Sequence, residues 1–344
     1  MTQELSVAFV GAGRIAGGFD EDRLPGKRGI FSHAGAYREA GKFRFACVVD
    51  SKPERARAFQ QYWGVENVAA DVRVLFDKFH DVISVCTPDE THYRLTADIV
   101  KAGCCKTVFL EKPLALTLME SNELCTLVDR SGVNVVVNFQ RRFEPVHIAT
   151  SREITAAPQN LNAVNGYYMK GLRHNGVTML DTLSFLCGMP GAVLAYNRVY
   201  NQEVGGYSYE FVLYYDGWNT TVKTVDAMLS RYDYHIFEID LLFANKRLTF
   251  VENSSSLRTA IVGEFAYSGV RTIQDAASKT APTGLDRAMV GAAQYVYDIT
   301  VGKRQHSVNT PRSAYNSAVL AEKIEQSFEQ GMIKLAIEPS EWKK

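Results

Sequence analysis

Ser6-Val7-Ala8-Phe9-Val10 runs directly into Gly11-Ala12-Gly13-Arg14-Ile15-Ala16 near the start of the chain. The first five residues are apolar enough for a buried strand, and the next six match G-x-G-x-x-A, the turn that leads into a helix in dinucleotide-binding folds. Small residues at the first two motif positions permit a tight turn and close approach of the backbone to a diphosphate, while the third lets the helix pack on the strand. The pattern predicts a diphosphate site formed by Gly11, Gly13, Arg14 and Ile15.

A second strand signal, residues 43–49, ends in Asp50. A carboxylate at that point can accept hydrogen bonds from both ribose hydroxyls of NAD and would repel the 2′-phosphate of NADP. Ser51, Lys52 and Arg55 follow it and are able to bind such a phosphate. NAD is therefore the expected cofactor, and NADP is not excluded.

The distance from the glycines to Asp50 is longer than the roughly 20 residues that this motif usually spans. An insertion explains the difference. Gly17-Gly18 is expected to interrupt the first helix, and residues 20–29, DEDRLPGKRG, have the composition of a charged surface loop. A helix is predicted to begin after Ser32 as N-cap and to end at Gly41.

Helix and strand signals alternate as far as residue 141, which predicts a parallel sheet with crossover helices. Beyond that point, strand signals follow one another across short turns such as Asp216-Gly217, which predicts an antiparallel sheet. We expect an α/β plus α+β protein. Residues 1–141 form a doubly wound Rossmann domain, and residues 142–344 form a domain with a large, mostly antiparallel sheet flanked by helices.

Composition excludes several classes of protein. The 344 residues contain 38 basic and 38 acidic side chains, so nothing indicates a nucleic-acid partner. No apolar run is long enough to cross a membrane and no secretion signal is evident, so a cytoplasmic location is expected. The six cysteines lack C-x-x-C spacing and are expected to be reduced, mostly buried thiols, and no cluster has metal-ligand spacing.

Three short motifs follow predicted strands of the first domain. They are Thr87-Pro88, Glu111-Lys112-Pro113 and Asn138. Because ligands of open α/β sheets bind at the carboxyl ends of the strands, these residues are candidates for the functional site.

The order of these motifs resembles the glucose-fructose oxidoreductase, inositol dehydrogenase and rhizopine catabolism family, over nearly the whole chain. The resemblance rests on the glycine motif, Asp50, Thr87-Pro88 with His92, Glu111-Lys112-Pro113, the segment NFQRRF at 138–143, and Asp181. Residues 32–34 and the segment KGLRHNG at 170–176 further resemble members that act in sugar or nucleotide-sugar pathways.

The resemblance implies transfer of a hydride between nicotinamide and a secondary hydroxyl or keto group of a sugar, polyol or nucleotide sugar. It implies Lys112 as the acid or base, with Asp181 fixing the substrate hydroxyl. Where the family usually places a histidine or tyrosine, four residues after that aspartate, this chain has Phe185, and His174 is the nearest candidate to supply the missing function. It also implies cofactor contacts from Thr87, Pro88, His92, Glu111 and Lys112, and substrate contacts from Arg142, Tyr168, Lys170, Asn175 and Thr178.

Two other functions remain open at this point. One is an enzyme of the same family that recycles tightly held NAD without net redox change, as its NAD-dependent glycosidases do. The other is a cofactor-binding sensor without catalysis. The loss of the usual histidine would permit such a role, and retention of Lys112 argues against it.

Family members commonly pair through the second-domain sheet, so a homodimer or homotetramer is expected. Aromatic residues on its strands, Tyr207, Tyr209, Tyr214, Tyr215, Tyr232 and Tyr234, are consistent with that role.

Overall fold

The computed structural model describes residues 4–26, 28–224, 235–266 and 268–342. They form two compact units. The first comprises the described residues up to Phe143 together with Asp286–Tyr315, and the second comprises Glu144–Leu285 and the chain from Asn316 onward. The sequence pattern assigns all of residues 142–344 to one domain, whereas the structure returns the segment that begins at Asp286 to the first unit.

The first unit is built on a six-stranded parallel sheet in the order β3-β2-β1-β4-β5-β6. This is the predicted doubly wound arrangement. Neighbouring strands are aligned so that Val10 pairs with both Val49 and Val85, which brings the carboxyl ends of β1, β2 and β4 to one edge. The strands are β1 (Leu5–Val10), β2 (Phe43–Val49), β3 (Asn67–Ala69), β4 (His80–Val85), β5 (Cys105–Leu110) and β6 (Asn134–Val137).

Helices cover the strands of both units. Those of the first half of the chain are α1 (Phe19–Glu21), α2 (His33–Ala40), α3 (Pro53–Trp63), α4 (His92–Ala102) and α5 (Leu118–Ser131). Those of the second half are α6 (Pro145–Ala156), α7 (Val177–Cys187), α8 (Ala288–Thr300) and α9 (Pro311–Glu329). π-helical turns span Arg14–Gly18 and Gly171–Gly176, and the short 3-10 turns include Asp89–Thr91 and Gln140–Phe143.

Helix α8 explains why the chain returns to the first unit. Met289, Ala292 and Val296 are fully buried in the same apolar cluster as Phe9 of β1 and Tyr37 of α2. A Rossmann sheet needs both faces covered, and α8 supplies part of the cover on the β1 and α2 side. The apolar pattern of α8 predicts a helix but carries no information about which unit that helix joins.

The inserted segment after the glycine motif differs from the prediction. The helical turns continue through Gly17-Gly18 to Glu21 instead of stopping there. Asp20 is buried rather than part of a solvated loop, and its carboxylate accepts hydrogen bonds from the Phe31 and Ser32 amides and from the Ser32 hydroxyl. Ser32 itself accepts from the Gly35 amide at 3.1 Å, so the predicted N-cap of α2 is confirmed.

The second unit contains a large, mostly antiparallel sheet in the order β14-β13-β12-β11-β7-β10-β9-β8-β16, with β15 paired to β13. Its one parallel pair among the described strands is β7 with β10. The strands are β7 (Leu161–Tyr168), β8 (Ala192–Asn201), β9 (Gly206–Tyr214), β10 (Asn219–Thr224), β11 (Phe237–Phe243), β12 (Lys246–Val251), β13 (Ser256–Glu264), β14 (Arg271–Ile273), β15 (Lys279–Pro282) and β16 (Leu335–Ala336).

Several expectations from composition can be compared with the described residues. All six cysteines carry reduced thiols, and five of them are buried. Within the described ranges, no helix is both long and apolar enough to span a bilayer, and no group of three or more histidine, cysteine or acidic side chains is arranged to hold a metal ion. Tyr232 and Tyr234, predicted on a strand, lie outside the described residues.

Candidate dinucleotide site and second-unit residues

A cleft of about 1050 Å³ lies at the carboxyl ends of β1, β2 and β4. Seven of the residues predicted to contact a dinucleotide line it: Gly11, Gly13, Arg14, Ile15, Asp50, Thr87 and Pro88. The structure therefore brings the glycine motif, the acid after β2 and the turn after β4 into one site. A cleft of this volume is large enough to hold a small-molecule cofactor.

The two glycines of the motif serve different purposes. Gly11 has a φ of +94°, and a Cβ there would lie 2.7 Å from the Cys86 carbonyl oxygen, so the fold itself requires glycine. Apart from its neighbours in the chain, Gly13 has no atom of the described residues within 4 Å of the place that its Cβ would occupy. The space beside Gly13 lies in the cleft and fits the diphosphate of a dinucleotide, whose oxygens a side chain there would displace.

The turn that follows Gly13 supplies donors for that diphosphate. Residues Arg14–Gly18 form a π-helical turn whose first hydrogen bonds run from the Gly17 and Gly18 amides to the Gly13 carbonyl. The opening amides of a helical turn have no partner within it and point outward from its N-terminal end. Such an end favours an anion, and diphosphate binding at this turn stays a prediction.

Asp50 lies where the sequence places it, one residue beyond β2. One carboxylate oxygen accepts from the Ala12 amide at 2.8 Å and the other from the Lys52 amide at 2.8 Å. These bonds fix the carboxylate beside the glycine turn. A carboxylate oxygen has more than one lone-pair site, so Asp50 can also accept from ribose hydroxyls.

Basic side chains surround the Asp50 end of the cleft. Lys52, Arg55, Arg73 and Arg94 all line it. Arg73 hydrogen-bonds to Asp71 and lowers the pKa of that carboxyl to about 2. Their positive charge favours a ligand that carries phosphate groups.

Phe19 is a cleft residue that the sequence interpretation missed. It lines the cleft, is 40% exposed, and lies beneath the Arg14 guanidinium, whose central carbon is 4.9 Å from the ring centroid. The sequence pattern treats this position as the end of an interrupted helix. No local signal marked it, because its position depends on the π-helical turn.

His92 is buried at the start of α4 and joins two of the predicted motifs. Its Nδ1 lies 2.6 Å from the carbonyl oxygen of Pro113, and its Nε2 lies 2.9 Å from that of Thr87. The ring therefore contacts both strand-end turns from within the unit and is absent from the cleft lining. This geometry favours a supporting role for His92, and direct contact with a cofactor stays a prediction.

Glu111 is also directed into the protein. Its Oε1 accepts from His33 Nε2 at 2.8 Å and from Asn138 Nδ2 at 2.6 Å. Burial would raise the pKa of this carboxyl, but the hydrogen bonds from both partners and the nearby charge of Lys112 hold the pKa below its usual value. Glu111 is therefore a buried carboxylate, while Lys112, the next residue, is partly exposed after the end of β5.

The second unit holds the other candidate residues on or near α7. Asp181 is buried on this helix, and the Ser317 hydroxyl of α9 donates to it at 3.5 Å. Thr178 lies on the same helix, three residues earlier, and is partly exposed. Phe185 is partly exposed four residues after Asp181, and its carbonyl accepts from the Ser151 hydroxyl at 2.6 Å.

The segment before α7 is itself helical. Gly171–Gly176 is a π-helical turn that continues without a break into α7. His174 is partly exposed in this turn, and Asn175 is buried with an Nδ2 that has no hydrogen-bond partner among the described residues. The glycines at both ends of this segment disfavour a helix, so the sequence pattern does not predict a helical turn.

Lys170 and Tyr168 lie deeper than predicted. Lys170 is fully buried with a positive φ of 69°, and its ammonium forms an ion pair with Glu203. The Tyr168 hydroxyl donates to the Tyr209 carbonyl at 3.0 Å and accepts from the Tyr209 amide at 2.8 Å. These contacts favour the packing role for Tyr168. Arg142, also predicted to bind substrate, lies in the first unit, in the 3-10 turn after β6.

Comparisons with known proteins agree with this geometry. Residues 5–139 match the model of an oxidoreductase family described by its NAD-binding Rossmann fold. The chain is 27% identical over 222 residues to the D-glucoside 3-dehydrogenase of Escherichia coli K12, which covers 58% of this chain and 59% of that protein. It is 34% identical over 114 residues to the scyllo-inositol 2-dehydrogenase (NAD⁺) of Bacillus subtilis 168, a third of each chain.

These matches span less than two thirds of either relative. A solved structure of levoglucosan dehydrogenase with NADH and levoglucosan covers 97% of this chain and all of its own, with a TM-score of 0.76 and 17% identity. At that identity the likeness shows the fold of both units. The predicted fold class is confirmed.

Proposed function

We propose that this chain, whose residues 5–139 match the oxidoreductase family with an NAD-binding Rossmann fold, is an NAD-dependent dehydrogenase of sugars or polyols. The observation that carries the proposal is the cleft at the strand ends. The cleft combines an open space at Gly13, the helical turn after it and Asp50. Lys112 follows β5 in the same unit and is not among the residues that line the cleft. The family match of residues 5–139 supports the resemblance that the motifs indicated.

In this cleft the amides after Gly13 would hold the diphosphate, and Asp50 would hold the adenosine ribose. Bound nicotinamide supplies a carbon that accepts or gives a hydride. The substrate hydroxyl must lose a proton as its carbon is oxidised, and Lys112 is the residue proposed to take it. In the opposite direction the lysine returns the proton to the carbonyl oxygen.

Residues of the second unit are proposed to hold the substrate. Asp181 accepts a hydrogen bond from the reacting hydroxyl, and Thr178 and the unpaired Nδ2 of Asn175 bind neighbouring hydroxyls. His174 is proposed to assist proton transfer, because Phe185 carries no exchangeable proton. Arg142, Lys170 and Tyr168 remain proposed substrate residues, with the burial of the last two favouring indirect roles.

The proposed substrates are sugars and polyols, which are rich in hydroxyl groups. Relatives that are named as glucoside and inositol dehydrogenases support this class. A nucleotide sugar is such a sugar joined to a nucleoside diphosphate, and the basic side chain of Arg142 is suited to bind that diphosphate.

We also propose that the protein is a homodimer or homotetramer that pairs through the second-unit sheet. Tyr167 of β7, 46% exposed, is available for such pairing, whereas Tyr209 is buried against Phe328.

The test measures binding and turnover separately. NADH is titrated with detection of its fluorescence, and reduction of NAD or NADP is followed by absorbance with a panel of inositols, glucosides, free sugars and nucleotide sugars. Lys112→Ala is compared with Lys101→Ala, a matched change at an exposed lysine of α4. We expect binding in all three proteins and turnover that falls at least 100-fold in Lys112→Ala alone.

Other outcomes identify the alternatives. Tight NADH binding without turnover of any panel member would favour the sensor. Release of a sugar from a glycoside without net accumulation of NADH would favour the glycosidase that recycles its cofactor. Light scattering of the purified protein at several concentrations measures the oligomeric state, and a monomer at all of them would contradict the proposed assembly.

A further inference from the structure

A buried cluster of three polar side chains lies directly behind the strand end that carries Lys112. It consists of His33 from α2, Glu111 after β5 and Asn138 after β6. All three are at least nine-tenths buried. Both partners donate to the same carboxylate oxygen of Glu111, His33 at 2.8 Å and Asn138 at 2.6 Å.

The direction of these hydrogen bonds is fixed by chemistry. An ionised carboxylate only accepts, so His33 must carry a proton on Nε2. Its Nδ1 is then buried without a hydrogen-bond partner among the described residues. An unpartnered buried nitrogen costs free energy, so the histidine is not the side chain that would best stabilise this part of the core. The side-chain hydrogen bond that it makes is to Glu111.

The consequence for Lys112 follows from backbone geometry. Lys112 is the next residue along the chain, so holding the Glu111 side chain inside the unit limits the positions that the Lys112 backbone can take. The Glu111 amide also donates to the Val85 carbonyl at 3.0 Å, which continues the sheet pairing beyond β5. On the other side of the lysine, the Pro113 carbonyl contacts His92 at 2.6 Å. Lys112 is thus flanked by two residues that are held from within the first unit.

We propose that His33 is a positioning residue for the reaction: by holding the Glu111 carboxylate inside the first unit, it fixes the backbone that presents the Lys112 amine. The inference rests on the proposed role of Lys112 in proton transfer. It gives a purpose to the inserted segment, since Asp20 fixes Ser32, the residue that caps α2 just before His33. It also assigns Glu111 an indirect role in place of a contact with the cofactor.

Two substitutions separate the hydrogen bond from packing. His33→Phe keeps an aromatic ring beside Phe109, whose centroid lies 4.4 Å from that of His33, and removes the donor to Glu111. His33→Gln keeps an N–H donor near the position of Nε2. We expect kcat to fall at least tenfold in His33→Phe and to recover most of its value in His33→Gln, while the Kd for NADH stays within twofold in both. If His33→Phe does not fold, His33→Leu takes its place in every measurement.

A double variant tests whether His33 acts through the lysine. In a Lys112→Ala background, His33→Phe is expected to lower kcat no further, because the residue that it positions is already absent. A second, independent loss in the double variant would overturn the proposal. So would unchanged kcat in His33→Phe, or a loss of NADH affinity as large as the loss of kcat.

A labelling measurement keeps this inference separate from the proposed function. The cofactor-free protein is treated with acetic anhydride, and acetylation of Lys112 is measured by mass spectrometry relative to the exposed Lys101. We expect the ratio to change at least threefold in His33→Phe and to return toward wild type in His33→Gln. An unchanged ratio overturns the positioning role. A changed ratio together with full activity of Lys112→Ala would instead refute the proposed role of Lys112 in catalysis.

Discussion

Gly11 and Gly13 are two residues apart, yet a side chain at each would meet different surroundings. At Gly11 a Cβ would clash with the Cys86 carbonyl, and the residue that carries it would have to adopt a positive φ. Gly11→Ala is therefore expected to lower the free energy of unfolding by about 2 kcal/mol or more. At Gly13 a Cβ meets open space, so Gly13→Val should leave folding stability within about 1 kcal/mol.

The same pair separates the fold from the ligand site. Gly13→Val places a branched side chain where the diphosphate is proposed to lie, so we expect its Kd for NADH to rise at least 30-fold. Urea unfolding and NADH fluorescence titration measure the two effects. A Gly13→Val protein that binds NADH as tightly as wild type would contradict the proposed position of the diphosphate beside Gly13.

At the scale of single residues, the sequence predicted what depends on near neighbours. Ser32 caps α2 and Gly41 ends it in a left-handed conformation, as their residue types indicate. The inward direction of Glu111 could not be predicted, because it depends on His33 and Asn138, which are distant in sequence. The sequence named the residues around Lys112 as one group, but it could not distinguish those that line the cleft from those that are held inside the unit.

At the scale of elements, Asp20 links the inserted segment to the N-terminus of α2. Its buried carboxylate accepts from two amides and a hydroxyl, and its Oδ2 lies 2.1 Å from where a Cβ on Gly35 would be. Asp20→Ala leaves these donors without their acceptor. We expect the free energy of unfolding to fall by about 3 kcal/mol, measured by urea denaturation.

Asp22 provides the matched control in the same segment. It is exposed, so Asp22→Ala should change stability by less than about 0.5 kcal/mol. Equal effects of the two substitutions would mean that the charge of the segment matters rather than the buried contacts of Asp20. The charged composition of residues 20–29 predicted a solvated loop, because composition does not reveal which acidic side chain accepts three hydrogen bonds inside the protein.

At the scale of the whole molecule, the first unit is assembled from two separate parts of the chain. Helix α8 places Met289, Ala292 and Val296 in the cluster that contains Phe9 and Tyr37. A fragment of residues 1–143 would expose that apolar surface to water. We expect it to bind the dye ANS and to lack a cooperative thermal transition, in contrast to the full chain.

A repaired fragment tests the cause. Residues 286–315 joined to the end of residues 1–143 through a flexible glycine–serine linker should restore a cooperative transition and reduce ANS binding. A fragment of 1–143 that already unfolds cooperatively would show that α8 is dispensable for the first unit. Sequence patterns predicted two domains, but the assignment of α8 depends on a packing partner more than 240 residues away, Tyr37, that no local pattern indicates.

The return of α8 also has a consequence during synthesis. A ribosome makes the glycine motif well before it adds α8, the helix that covers the adjoining sheet. Until then the nascent first unit carries an open apolar face, and most of the second unit is made before that face is closed. The strands that form the cleft are therefore synthesised long before the helix that completes their unit.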